Sequence, residues 1–481
     1  MVLDRRDEQE PAYRWLYAAL RNQILKGRLR PGVRLPATRD LASQYDFSRG
    51  TIVRAFEELK SEGYIEGSTG SGTYVRRVLP DELLQAKQEA GTWAAPVPKN
   101  GRRLSDYGRR ATLFSNSDNR PSRTFRANLP AHDLFPMGLW AQIASRRLRR
   151  ISTSHLLVCD AMGYAPLRGA VADYLTASRG VKCVPEQVAI VAGMQEALDL
   201  ATRLFVNPGE RVCMENPGYP GAANVFNAVG AKVVRISLDE EGMRFDERRL
   251  EGARLVYVTP GHQFPLGITM SLPRRLQLLE WARRAGAILF EDDYDSEYRY
   301  FGRPVPALQG LDPYGVVLFA GSFSKVLFPS LRLGYIVVPP DLVERFTAII
   351  SITRRHAPLL DQTVLCDFLT EGHFGRHLRR MRDVYAERLS ILSEEANLRL
   401  TGLLEVSDVQ AGLQTTGWLC GIDAESAAAA AAKRGVEVTP VDRYSQGRVV
   451  PQRLQLGFAA FDEREIRRGV RELAIALEGA R

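Results

Sequence analysis

Cysteine is scarce and scattered: Cys159, Cys183, Cys213, Cys366 and Cys420 are odd in number and contain no Cys-x-x-Cys pair. Such spacing offers neither a disulfide framework nor a structural zinc site, and no metal site is expected. Long hydrophobic runs are missing too. No stretch approaches the roughly 18 apolar residues of a membrane-crossing helix, and the opening residues Met1 to Asp7 lack the apolar core of a secretory leader. A cytoplasmic protein with no membrane partner is expected. No internal repeat is present. What remains is ordinary globular composition, 481 residues with 45% hydrophobic and 25% charged, long enough for two or three domains. The formal net charge of +9 favours a polyanionic partner, although many basic proteins bind no nucleic acid.

Composition divides the chain into three zones: a compact start over 1–77, an irregular linker over 78–124 and a long remainder over 125–481. The linker opens on a polar helical piece from Pro80 to Ala90, then runs through Trp93 to Pro98 and the arginine pairs Arg102-Arg103 and Arg109-Arg110. Those arginines read equally as DNA contacts or as a solvated tether. In the remainder, short apolar runs alternate with helical patterns, as a mostly parallel sheet covered on both faces requires. The expected strands are Val188 to Val191, Arg211 to Met214, Leu255 to Val258, Ala287 to Phe290 and Val316 to Phe319. Ligands of such sheets collect at the carboxyl ends of the strands. The alanine run Ala427 to Ala432 reads as a surface or packing helix.

The first zone predicts helices over Pro11 to Lys26, with Leu16, Leu20, Ile24 and Leu25 as its apolar positions, over Thr38 to Tyr45, and over Arg49 to Glu62. Thr38 and Ser48 are the expected caps, and Ile52, Val53, Phe56 and Leu59 the buried stripe of the third helix. Extended segments at Tyr64 to Gly67 and Gly72 to Val75 flank a glycine and serine tip, which together make a helix-turn-helix with a wing. Through Leu29-Arg30-Pro31-Gly32, Arg34-Leu35-Pro36-Ala37-Thr38-Arg39-Asp40-Leu41-Ala42, Ser48-Arg49-Gly50-Thr51-Ile52-Val53-Arg54-Ala55 and Glu62-Gly63-Tyr64-Ile65, this zone resembles the GntR superfamily of bacterial transcription regulators. The resemblance implies that Arg49, Thr51 and Arg54, following Ser48, face the major groove of double-stranded DNA. It also implies a phosphate or base contact for Arg39 and a groove or backbone contact for the wing tip Gly70-Ser71-Gly72.

In the last zone, Gly321-Ser322-Phe323-Ser324-Lys325 is followed seven residues on by Arg332-Leu333-Gly334. A lysine between hydroxyls and an arginine suits pyridoxal 5'-phosphate, the amine forming a Schiff base while Ser322, Ser324 and Arg332 take the phosphate. Taken alone, such a lysine is usually a solvated surface charge. Four further stretches give it context. Gly193-Met194-Gln195 opens a helix whose first amides can cradle a phosphate. Glu215 to Pro220 offers Tyr219 as a ring to stack on the pyridine. Glu291-Asp292-Asp293-Tyr294 delivers Asp292 to the pyridine nitrogen and Tyr294 to the ring hydroxyl, although an acidic cluster can also hold magnesium. Thr259 to Gly267 resembles the aminotransferase segment whose asparagine adjoins that hydroxyl, which implies that His262 or Gln263 stands near it.

These stretches in this order resemble aspartate aminotransferase-type folds of fold type I, and Arg453 in Arg453 to Phe458 resembles the arginine that clamps a substrate carboxylate. With the winged helix attached, the chain resembles the MocR-type regulators. That likeness implies an α/β protein in which an N-terminal winged helix-turn-helix precedes an aminotransferase fold with a small C-terminal α+β subdomain. It implies a homodimer that binds promoters with repeated half-sites and senses an amine, an amino acid or the cofactor itself by exchange of the Schiff base on Lys325. An active aminotransferase with an attached DNA-binding domain is the alternative. Two positions depart from the family: Val158 stands where many members have a tyrosine, five residues before Gly163, and Gly221 where the GABA-sensing member has an arginine. Sensing of GABA is therefore not implied.

Overall fold

The computed structural model describes residues 11–68, 72–77, 102–112, 122–150, 152–153, 157, 159–300, 305–447 and 451–481. Val158 and the wing residues Gly70 and Ser71 lie outside the described residues, as does the Pro80 to Ala90 piece. The chain divides into two compact units, Met1–Arg102 and Arg103–Arg481.

The first unit holds α1 (Ala12–Leu25), α2 (Thr38–Tyr45) and α3 (Arg49–Ser61), followed by the antiparallel hairpin of β1 (Ile65–Ser68) and β2 (Gly72–Val75). Its core gathers Trp15, Leu16, Leu20 and Ile24 of α1 with Leu41 of α2 and Ile52, Ala55, Phe56 and Leu59 of α3. Two expected core positions fall elsewhere. Leu25 is 38% exposed at the frayed end of α1, and the α3 stripe runs through Ala55 while Val53 is only half-buried. Ala55 stands three residues after Ile52 on the inward face, and Val53 is turned about 100° away from it. The α2 cap also differs: the helix starts at Thr38, so its cap is Ala37, whose side chain makes no capping bond. The segment before α2 joins the wing, since Leu35 donates its amide to Thr73 at 2.8 Å and Val75 donates to Val33 at 2.9 Å.

The second unit is built on a sheet ordered β3-β10-β9-β8-β7-β4-β5-β6. Its strands are β3 (Val188–Val191), β4 (Arg211–Asn216), β5 (Lys232–Asp239), β6 (Gly242–Met243), β7 (Ala253–Val258), β8 (Ile288–Asp293), β9 (Val317–Ser322) and β10 (Gly334–Val337). The pairs β4–β5, β4–β7, β7–β8 and β8–β9 are parallel, and β10 is inserted antiparallel between β3 and β9. Both faces are covered, because Val188 and Ile190 of β3 enter one apolar cluster and Ala189 and Val191 enter another. Strands β8 and β9 run further than the apolar residues predict, so Asp292 and Asp293 sit on the strand itself and Ser322 ends the next one. Parallel pairing of Asp292 with Ala320 and Asp293 with Gly321 carries that extension.

A smaller antiparallel sheet, β11 (Leu404–Val406), β12 (Gln414–Leu419), β13 (Thr439–Pro440) and β14 (Arg453–Gly457), is ordered β11-β12-β14-β13. The alanine run lies in helix Ala424–Lys433, which buries Ala424, Ala427, Ala428 and Ala431. Within the expected linker, helix Asp106–Arg110 is docked through Arg110, whose guanidinium donates to the carbonyls of Ala228 and Val229 at 3.2 and 3.0 Å. Those carbonyls end helix Pro220–Val229, where a cation is favoured. Among the described residues no helix is long and apolar enough to cross a membrane.

Candidate functional site

Three residues past the end of β9, the Lys325 amine donates to the Asn128 carbonyl at 2.8 Å. Burial lowers this ammonium from its usual range to about 8, with Arg332 acting in the same direction and Asp295 and Asp292 opposing it. Asn128 itself takes a positive φ of 67° and donates its amide to Gln414 at 2.9 Å. Sequence reasoning missed it, since a single asparagine in an irregular segment has no periodic signal.

Asp292, at the carboxyl end of β8, is buried. One of its oxygens accepts from the Tyr257 hydroxyl at 2.6 Å and the other has no hydrogen-bond partner among the described residues. Burial pushes this carboxyl up to about 7. A half-satisfied buried carboxylate is costly and marks a position where a donor from a ligand would be stabilising. Tyr219 caps helix Pro220–Val229; its ring stacks at 6.5 Å from Tyr257 and meets Phe264 edge-on at 5.8 Å. Asp292 and Arg332 both act electrostatically on Lys325 and on Tyr219, which gathers the four around one centre.

His262 and Gln263 part company in the fold. The His262 Nδ1 lies 2.9 and 3.1 Å from the two Asp295 oxygens and 3.2 Å from the Tyr294 hydroxyl, leaving Nε2 buried and without a partner among the described residues. Gln263 instead ties two loops together: its side-chain amide donates to the Pro217 carbonyl at 2.9 Å and its side-chain oxygen accepts from the Leu266 amide at 3.1 Å.

The third group is an anion cradle. Helix Met194–Phe205 begins after Gly193, which adopts φ 97°. The first amides, Met194 and Gln195, have no acceptor within the helix and stand at its positive end. A Cβ on Gly193 would lie 3.5 Å from the Arg332 guanidinium, and a Cβ on Gly334 would fall 2.7 Å from the Gly321 carbonyl and 3.1 Å from the Gly193 Cα. Gly334 therefore lets its own strand approach the backbone of Gly321 and Gly193. The Ser322 hydroxyl accepts from the Ser324 amide at 3.2 Å, and the Ser324 hydroxyl is buried with no partner among the described residues. The Gln195 side-chain oxygen is likewise unpartnered.

Arg453 opens β14, its guanidinium 5.5 Å from the centre of the Trp418 ring. It lines a cavity of about 640 Å³ together with Arg299 and Gly267. A Cβ on Gly267 would lie 3.0 Å from His262 Nε2, so this cavity backs onto the His262 and Asp295 pair.

In the first unit, Ser48 caps α3 by accepting from the Thr51 amide at 3.1 Å, and its hydroxyl lies 2.8 Å from that of Thr51. Arg39, Arg49 and Arg54 are exposed. Arg54 is held sideways, stacked at 3.9 Å over the Tyr13 ring and 3.9 Å from Glu58, while Arg39 stands 3.6 Å from Asp40. At the tip end of β2, a Cβ on Gly72 would meet the Arg34 side chain at 2.6 Å, so Arg34 lies against the start of that strand.

Comparison with known proteins matches both units. Residues 12–75 match the bacterial regulatory proteins of the gntR family, and residues 139–473 match aminotransferase class I and II. The chain is 39% identical over 99% of its length to the probable rhizopine catabolism regulatory protein MocR of Rhizobium meliloti, covering 95% of that protein. It is 28% identical to the pyridoxine biosynthesis transcriptional regulator PdxR of Corynebacterium glutamicum, over 95% of this chain and 94% of that one. Among solved structures it is similar to the alpha-aminoadipate aminotransferase LysN of Thermus thermophilus complexed with N-(5'-phosphopyridoxyl)-L-leucine. The TM-score is 0.72 and the identity 30%, over 78% of this chain and 97% of that one. A gntR-type helix-turn-helix joined to an aminotransferase class I and II fold, with full-length likeness to named transcriptional regulators, means that the chain belongs to the MocR-type regulators.

Proposed function

We propose that the protein is a cytoplasmic, dimeric transcription regulator that holds pyridoxal 5'-phosphate on Lys325 and responds to an amine or amino-acid effector. The observation that carries this reading is the Lys325 amine with its lowered proton affinity beside a buried Asp292 oxygen that lacks a partner among the described residues. When bound, the cofactor supplies an aldehyde that amines capture reversibly. The residues fit it: Met194, Gln195, Ser324 and Arg332 are donors for a phosphate, Asp292 holds a proton at the pyridine nitrogen, and Tyr219 is a stacking ring. Tyr294 is the donor for the ring hydroxyl, and His262, held at Nδ1 by Asp295, stands beside Tyr294. With its ammonium weakened, Lys325 releases a proton near neutrality, and the Asn128 carbonyl orients the amine. Arg453 is the candidate clamp for an effector carboxylate.

An effector shifts DNA binding only through different affinities for two arrangements of the protein, and the amine exchanged at Lys325 is where that difference originates. The first unit supplies the reader, with α3 offered to the major groove of repeated promoter half-sites. The same buried residues would equip a working aminotransferase, and likeness to an aminotransferase at TM-score 0.72 favours keeping that second reading. Turnover of amino acids and keto acids separates the two. The regulatory relative named for pyridoxine biosynthesis supports the cofactor itself as a further candidate signal.

Lys325→Ala is expected to abolish cofactor absorbance and the effector's influence on promoter binding while leaving basal DNA affinity in place. In the wild-type protein the rate of cofactor capture should climb about tenfold per pH unit as the free amine accumulates, and level off above about 8. Regulation that survives in Lys325→Ala overturns the reading.

A further inference from the structure

The cavity beneath Arg453 carries more positive charge than one carboxylate clamp requires. Arg299 lines it as well, half-buried, with its guanidinium donating to the Gln410 side-chain oxygen and the Thr269 hydroxyl, each at 3.1 Å. Both acceptors are neutral. Neither Arg299 nor Arg453 makes an ion pair among the described residues, and burial lowers the proton affinity of both, with no carboxylate acting to raise either one. The acids of the same cavity are engaged elsewhere or peripheral. Asp239 is paired with Arg274 at 3.1 Å, while Glu240 and Asp408 are exposed to solvent at the rim. Two half-buried guanidiniums without a counter-charge are an unfavourable arrangement that an anion would relieve.

We infer that the cavity takes an effector with two acidic groups, a dicarboxylic amino acid or a close relative, with Arg299 binding the second acid that Arg453 leaves unclaimed. The inference rests on the reading of Arg453 as an effector clamp. The Arg299 guanidinium is oriented by its bonds to Gln410 and Thr269, and its remaining N–H donors suit a carboxylate. Gly267 in the cavity wall backs onto His262, so the cavity adjoins the candidate cofactor site.

Two probes separate this inference from the cofactor reading. Glutarate carries both acids and no amine, so its calorimetric binding to the full chain reports the cavity alone. L-glutamate against L-glutamine, followed by cofactor absorbance, reports the second acid during amine capture. Glutarate binding should weaken roughly 10- to 100-fold in Arg299→Gln, and the glutamate-to-glutamine affinity ratio should fall by a similar factor, with partial recovery in Arg299→Lys. Thermal melting of each variant identifies a folding defect. Absence of glutarate and glutamate binding in the wild-type protein, or binding that is indifferent to Arg299→Gln in a folded variant, overturns the inference. Absorbance that responds to no amine while glutarate still binds through Arg299 would instead overturn the Lys325 reading and leave the anion site standing.

Discussion

The two units keep their functional groups in opposite environments. In the first, Arg39, Arg49 and Arg54 are exposed, while the core of Trp15, Leu20, Ile52 and Phe56 owes them nothing. In the second, Lys325, Asp292, Ser324 and His262 are drawn into the protein, and Asp292, Ser324 and His262 each hold a buried polar atom without a partner among the described residues. Exposed cations cost little to fold and act on a polyanion through a screened field. Buried unsatisfied groups cost stability until a ligand completes them. The reader should therefore be stable and salt-sensitive in its function, and the cofactor unit stabilised by ligand and indifferent to salt.

The strongest test of that contrast is Asp292→Asn. The Tyr257 hydroxyl retains an acceptor, but the charge that would pair with the pyridine nitrogen is gone. Cofactor retention should fall by about 3–5 kcal/mol, the cost of breaking a buried ionic pair, as read by dialysis and absorbance. The cofactor-free variant should melt no lower than the cofactor-free wild type, because a buried carboxylate with an idle oxygen has been removed. A variant that loses both stability and cofactor to the same degree would make Asp292 a structural residue.

Arg49→Ala probes the other side. Its expected cost is ~1–3 kcal/mol in promoter affinity, with relaxed sequence preference and an unchanged melting temperature. Wild-type promoter binding should weaken steeply between low and moderate salt, while cofactor retention barely moves. Equal salt dependence in the two activities would erase the contrast.

How far the sequence revealed these environments follows the same division. Local signals place what is local in the fold: Ser48 before α3, Gly193 before its helix, and the lysine element after the end of β9 all carry their own spacing. Contacts made across the fold were hidden. Asn128 reaches Lys325 across 197 residues, Tyr257 reaches Asp292 across 35, and His262 finds Asp295 across 33, none with a periodicity to announce it. Strand β10 lies outside the expected strands because Gly334–Val337 directly continues the Arg332 element, and its pairing to β3 and β9 is a long-range contact. The Thr38 cap failed for a smaller reason, since the helix begins on that residue and the cap falls to Ala37.

Ser48 is where the division between the two environments is least sharp, and the smallest expected effect tests it. Its hydroxyl accepts from the Thr51 amide at 3.1 Å, a bond that serves the helix, yet it stands exposed beside Arg49 on the face proposed to read DNA. Ser48→Ala should cost roughly 1 kcal/mol of stability in the first unit through loss of the cap. Ser48→Asp restores a capping oxygen and suits the helix dipole, so melting should recover, but it sets a negative charge against phosphate. Recovered stability with weakened promoter binding in Ser48→Asp would give Ser48 both roles. Recovery of both properties would confine it to the helix cap and draw the reading face back to the arginines.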